Sequence, residues 1–204
     1  MSLKILTVIL FCFVVGLLIV QRFSLPKELP VRITAGAGED AGYGFGEGLQ
    51  RGSLVETVEG FIQLNIGEEL AQADQAQTII WLSKNTSIEL ERLYKDELII
   101  RLIKGRILAK TSAQTPLIIK TNNTEHVLSD AMASFINYDF LETIHVIPLM
   151  NSVETHLRQT KERFTQSAPY SIHETPPVSH ESLDVNLMAG DSADFYQWTN
   201  ALTY

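Results

Sequence analysis

The chain has 204 residues, 45% of them hydrophobic, with 16 basic residues against 24 acidic ones and a formal net charge of -8. That length accommodates one ordinary domain with appendages. The acidic balance and the lack of any Lys/Arg run argue against a nucleic-acid surface and disfavour adsorption to anionic lipid.

The block ILTVILFCFVVGLLIV, from Ile5 to Val20, carries no charge. With Leu3 before it and Phe23 after it, it reaches the ~20 apolar residues that cross a bilayer. Residues 1–22 therefore read as a transmembrane anchor. A cleaved signal peptide would need a small-x-small pattern soon afterwards, and QRFSLPKELP offers none. Ala35 to Ala37, AGA, lies too far downstream, and bulky Phe11 before Cys12 does not suit a lipoprotein. Counting positive charges, Lys4 before the span against Arg22, Lys27 and Arg32 after it, would put the body inside. A short amino-terminal tail is nevertheless easily left behind, and the expectation is a body outside the cytoplasm. Cys12, the single cysteine, falls in the span, so the body must hold together without disulfides.

Residues 23–48 read as a stem and linker. SLPKELP contains two prolines, and AGAGEDAGYGFGEG, Ala35 to Gly48, is glycine-rich. Gly36, Gly38 and Ala41 satisfy a bare G-x-G-x-x-A expression. More glycines follow where a helix should begin, and Glu39 and Asp40 would repel phosphate. No nucleotide or other cofactor is expected.

From residue 49 to 154 short apolar runs alternate with turn signals. The strands expected are SLVETV, FIQLN, TIIWL, SIELERL, ELIIRLI, RILAK, PLIIKT, HVLS, MASFINY and TIHVIP. AQADQAQ, Ala71 to Gln77, reads as a loop or a single turn. The decisive stretch is Leu98 to Thr121. As a helix it would place Arg101 and Gly105 in the apolar stripe with Leu98 and Leu102, whereas alternation separates Leu98, Ile100 and Leu102 from Ile99, Arg101 and Ile103. Its abundant Ile favours a pleated surface. Lys104-Gly105 then reads as a tight turn between two strands. Many short strands at this spacing make the domain all-β, a sandwich or a solenoid-like stack.

Beyond residue 154, THLRQTKERF suggests a short helix. The polar, proline-bearing remainder to residue 204 suggests a largely disordered tail. Its end carries Phe195, Tyr196, Trp198 and Tyr204, aromatic enough to dock on a partner.

Catalytic chemistry has few candidates. There is no G-x-S-x-G elbow. His126 and His145 fall in expected strands, where a satisfied histidine is the ordinary reading, and His156, His173 and His180 lie beyond. The repeated His173-Glu174 and His180-Glu181 pairs lack a scaffold for metal geometry. Glu68, Glu69, Glu89, Glu91, Asp96, Glu97, Asp130 and Asp139 sit at turns or alternate outward, as solvated carboxylates do. No catalytic, cofactor-binding or metal residues are expected, and the protein is read as no enzyme.

In order, LVETVEGFIQL, IGEELAQADQAQTIIWLSKNTSIEL, LIIRLIKGRILAKT and PLIIKTNNTEHVLSDAMASFIN resemble the successive pieces of the FecR-like domain, an extracytoplasmic β module of bacterial membrane proteins. They comprise a strand–Glu-Gly–strand opening, a Gly-led turn and strand pair, a Leu-x-x-Gly-x-hydrophobic segment, and strand pairs ending in a Phe-centred strand. The resemblance covers about half the chain. It implies a β-domain at the cell membrane, facing outward, that works by binding a protein partner or envelope component. The family's iron-signalling members add a cytoplasmic domain that contacts a sigma factor. MSLK, before the span, reaches at most about 14 Å even fully extended and offers no such surface. SIELERL, with Glu89 and Glu91, reads as an exposed strand suited to a basic partner. A different class, a lipid-handling jelly-roll subunit of the lipopolysaccharide-transport type, would share the anchor but require an open apolar groove.

Overall fold

The computed structural model describes residues 27–37, 44, 46–67, 78–112, 115–187 and 190–201. The span from Ile5 to Val20, most of the glycine-rich stretch after Ala37, and AQADQAQ lie outside these residues. Among the described residues no helix is long and apolar enough to cross a membrane.

The described chain is mostly strand: β1 Val31–Ala37, β2 Gly48–Leu49, β3 Leu54–Thr57, β4 Phe61–Ile66, β5 Thr78–Leu82, β6 Thr86–Leu93, β7 Leu98–Lys110, β8 Leu117–Lys120, β9 Thr124–Leu128, β10 Met132–Tyr138, β11 Thr143–Met150, β12 Val153–Leu157, β13 Arg163–Gln166, β14 Tyr170–His173 and β15 Ser179–Ser182. One helix, α1, Asp191–Ala201, follows. The strands form two layers joined through β7. The first half of β7 runs between β6 and β8 in a layer ordered β13-β12-β9-β8-β7-β6-β3. Its second half runs between β5 and β10 in a layer ordered β2-β1-β4-β5-β7-β10-β11-β14-β15. All pairings are antiparallel except β7 with β8. Parallel neighbours need a long crossover, and the second half of β7 supplies it from within the opposite layer.

Lys104-Gly105 is thus no turn between two strands, as the sequence suggested. It is the bend at which one strand changes layers. Gly105 has φ +92, a region open to glycine, and a Cβ there would stand 2.5 Å from Thr86 Oγ1 and 2.6 Å from the Asn85 carbonyl oxygen. Side chains replace the ladder bonds that the bend interrupts. Thr86 Oγ1 accepts from the Arg106 N–H at 2.9 Å and donates to its carbonyl at 3.1 Å. On the other flank Asn137 Nδ2 donates to the carbonyls of Leu102 and Ile103, at 3.0 and 2.9 Å.

Alternation fills the space between the layers. Ile62, Leu64 and Ile66 of β4, Ile80 and Leu82 of β5, and Phe135 and Ala133 of β10 face Ile88 and Leu90 of β6, Leu98, Ile100 and Leu102 of β7, and Leu117 and Ile119 of β8 in one continuous core. A second apolar cluster covers the outer side of the larger layer, where Leu108, Met132, Ile136 and Ile147 meet Phe195 of α1.

Three expectations change. Val31–Ala37, placed in the stem, is a strand paired with β4 and β2, its buried Val31 and Ile33 belonging to the core. THLRQTKERF is not helical but the β12–β13 hairpin, because Val153, Thr155 and Leu157 alternate inward and the chain reverses before Arg163. The tail expected to be disordered adds β14 and β15 to the edge of the larger layer and then α1, its order supplied by burial of Tyr170, Ile172 and Phe195. Of its aromatic residues, Phe195, Tyr196 and Trp198 pack on the chain's own sheet.

Gly105→Ala should destabilise the protein by roughly 2–5 kcal/mol, the sum of a positive-φ penalty and overpacking against Thr86. Gly52 has φ +83 with nothing within 4 Å of its virtual Cβ, so Gly52→Ala should cost only the backbone part. Urea midpoints of the two variants should separate clearly, and equal shifts would refute the bend as a tight site.

Candidate functional site

Three polar or apolar constellations stand out, and the first is internal. Thr124, His126 and Thr155 alternate inward from β9 and β12 with no solvent exposure, a row of polar groups in an apolar interior. Each must find a partner there. His126 Nε2 lies 2.9 Å from Thr124 Oγ1 and His126 Nδ1 lies 3.0 Å from Thr155 Oγ1, which in turn is 2.6 Å from the Tyr170 hydroxyl. Thr124 Oγ1 donates to Glu174 Oε1 at 3.0 Å, the same oxygen that accepts from the Asn123 N–H at 3.1 Å and from the Thr121 hydroxyl.

Thr121 Oγ1 also lies 2.6 Å from Thr124 Oγ1, so the hydroxyls and the imidazole form one hydrogen-bonded relay that ends on Glu174. Burial, followed by the nearby His156, holds the pKa of His126 down at about 3. Burial raises that of Tyr170, offset in part by its hydrogen bond to Thr155. Tyr170 and Glu174 belong to β14 and its end, whereas His126 and Thr155 belong to the opposite layer. The relay therefore stitches the two layers together, and its deep burial suits a structural clasp rather than contact with a substrate.

The second constellation is the outer face of the smaller layer. Glu91 bonds Arg101 at 2.6 Å and Lys120 at 3.2 Å, and Arg158 reaches Glu125 at 3.1 Å. Burial alone would raise the Glu91 carboxyl, but hydrogen bonds and charge from Arg101 and Lys120 outweigh it and hold the pKa below the ordinary value. SIELERL is not an exposed edge, because β6 is paired on one side with β3 and on the other with β7. Its glutamates are engaged within the chain, which removes them as a ready surface for a basic partner.

The third is the outer face of the larger layer. By register Leu108, Ser134 and Ile147 form one row, and Arg106, Ile136, His145, Ser171 and Glu181 the next. His173 lies beside this row, 3.1 Å from Thr143 Oγ1 through Nδ1 and 3.3 Å from Glu181 through Nε2. Burial, followed by the charge of His173, lowers the pKa of His145, against an opposing pull from Glu181. The remaining histidines are accounted for: His156 pairs with Glu154 at 2.8 Å, and His180 stacks on Phe164 at 4.2 Å. Among the described residues no group of His, Cys, Asp and Glu could hold a metal ion. The first of the two His-Glu pairs is split, since Glu174 is buried while His173 faces out. Near the bend, Phe140 and Leu141 stand 78% and 58% exposed on a turn pinned by the Glu174 N–H to the Glu142 carbonyl at 2.7 Å.

Sequence reading found His126 as a satisfied strand histidine but missed Thr155, Tyr170 and Glu174, which lie in stretches read as helix and disordered tail. The Val153-Thr155-Leu157 alternation was the one available signal.

No family model matches this chain, and no curated protein does. Two crystal structures described as "a putative anti-sigma factor" from Parabacteroides distasonis are similar to it over 65% of its length, each at 14% identity, with TM-scores of 0.49 and 0.48. The chain spans about 60% of the length of those structures.

Because His126 binds its proton less readily folded than unfolded, protonation favours the unfolded chain. Stability is complete above pH 6.5 and is lost as pH falls toward about 3. Denaturant unfolding at pH 6.5 and pH 4.5 should differ by roughly 2 kcal/mol from this group alone. His126→Gln should remove most of that difference, and an unchanged slope would show that the imidazole is not held neutral.

Proposed function

We propose that the protein is a membrane-anchored, extracytoplasmic FecR-like module that works by binding a protein or envelope component rather than by turnover. The observation that carries this reading is the filled interior. Both layers contribute to one apolar cluster with fully buried Leu64, Ile80, Leu90, Ile100 and Phe135, leaving recognition to the outer faces and loops. The order of motifs supports the FecR-like part. LVETVEGFIQL becomes β3, a turn with Gly60 at φ 77, and β4; LIIRLIKGRILAKT becomes β7; and the Phe-centred strand is β10. A lipid-handling subunit would want an open apolar groove between the layers, and the packed core weighs against it. The uncharged stretch from Ile5 to Val20 supports the anchor.

Expressed in a bacterial host, the protein should resist carbonate extraction, and protease added outside intact spheroplasts should cut the stem and release a strand-rich fragment. Protection of the β-domain until the membrane is broken would overturn the outward placement. Lipid recovered in stoichiometric amount from the released fragment would favour the lipid-handling class.

A further inference from the structure

Part of the outer face of the larger layer is apolar where an ordinary sheet surface would meet water. Leu108, Met132, Ile136 and Ile147 are at most 4% exposed, with Trp81, Tyr138 and Leu149 around them. What covers them is α1, through Phe195, 4% exposed, and half-buried Tyr196 and Trp198, together with Leu183 and Val185. Ser192 is tied to the sheet by a hydrogen bond to the Tyr138 hydroxyl. Ser192, Phe195 and Thr199 are the buried positions, a helical stripe laid on a sheet.

The covered face is not wholly apolar. Ser134, in the row between Leu108 and Ile147, is fully buried with its Oγ lacking a hydrogen-bond partner among the described residues, and so is Nδ1 of His145 one row on. Buried polar groups left in that state are costly, and a sheet face that had evolved only to be sealed would carry an apolar side chain there. Beside the helix a cleft of about 190 Å³ opens between Asp194, Phe195 and Trp198 on one side and Ser83, Lys84 and Arg106 on the other. The helix itself has 11 residues, too short to persist once lifted off. Undocking and unfolding of α1 are therefore one event.

We infer that α1 is a displaceable internal occupant of a helix-docking face, and that the partner is an amphipathic helix. That helix presents an aromatic or aliphatic anchor to Leu108, Ile136 and Ile147 and a polar side chain to Ser134. The commitment to a helix rests on the occupant already seated there, and the polar side chain on the unpaired Ser134 Oγ between Leu108 and Ile147. The inference deepens the reading of the chain as a binding module by naming the class of partner and the contact that competes with it.

Native-state hydrogen exchange on the full chain should show the amides of α1 at least ~100-fold less protected than those of Leu108 and Ile136, through local opening that does not require global unfolding. Equal protection would overturn the inference without touching the membrane and lipid tests above. A labelled peptide of residues 190–201 should bind the Phe195→Ala chain at least ~10-fold more tightly than the native chain, because the tethered competitor is weakened. Adding Ile136→Glu should abolish that binding. Equal binding by the native and Phe195→Ala chains, no binding by either, or indifference to Ile136→Glu would each refute a displaceable lid.

Discussion

The fold depends on one strand belonging to two layers. If β7 ran straight, Leu98 to Lys104 and Arg106 to Lys110 would lie in a single sheet, and the residues that now face each other across the core would point the same way. The bend at Gly105 turns the strand over, so that Ile100 and Ile107 both reach the same interior from opposite layers. A bend in mid-strand breaks ladder bonds, and unpaired backbone groups in a buried position are expensive. Thr86 and Asn137 answer that cost by donating and accepting in place of the missing neighbours. The close approach of Thr86 in turn explains why no side chain fits at position 105. Sequence, backbone conformation and topology are coupled at this point.

From this arrangement the distribution of polar groups follows. Each successive hairpin after β8 alternates between layers, β8–β9 in one, β10–β11 in the other, then β12–β13 and β14–β15. Beyond β8 in one layer and β10 in the other, the layers share no strand. There the hydroxyl and imidazole relay joins β14 to β9 and β12, with Glu174 as its terminal acceptor. The layers are thus held covalently through β7 at their middle and by directional hydrogen bonds between β14 and the β9–β12 pair, which fix the register more sharply than apolar contact alone.

The sequence revealed most of the body and misplaced its ends, for reasons visible in particular residues. TIIWL, MASFINY and SIELERL show clean alternation or β-branched density, and each became a strand within a residue of the expected limits. Lys104-Gly105 was misread because positive φ is the shared requirement of a turn and of a sharp bend, and only the partners on either side tell them apart. The carboxy-terminal strands were hidden by their chemistry. Thr155 and Glu174 sit where apolar residues would have announced a buried face, since their burial depends on a hydrogen-bonded relay assembled from distant segments. β1 was obscured by Pro30 before it and the glycines after it, although Val31 and Ile33 already alternate. Of the surfaces, the charges of SIELERL were legible and their engagement by Arg101 and Lys120 was not, because those partners come from neighbouring strands.

The two outer faces now divide the work that the interior cannot do. On the smaller layer, acidic and basic side chains from adjacent strands neutralise one another, which discourages casual association. That face is well suited to remaining in solvent. On the larger layer the patch around Leu108, Ile136 and Ile147 is apolar, and an apolar patch open to water invites aggregation, so a cover is required. A short helix satisfies that requirement with little stability of its own, since its order derives from the contact with Leu108, Ile136 and Ile147. A cover of that kind shields the face at all times and yields it only to a competitor that fills the same stripe better. If α1 is displaceable as proposed, recognition falls to the face beneath it, because the charged face of the smaller layer is already paired within the chain.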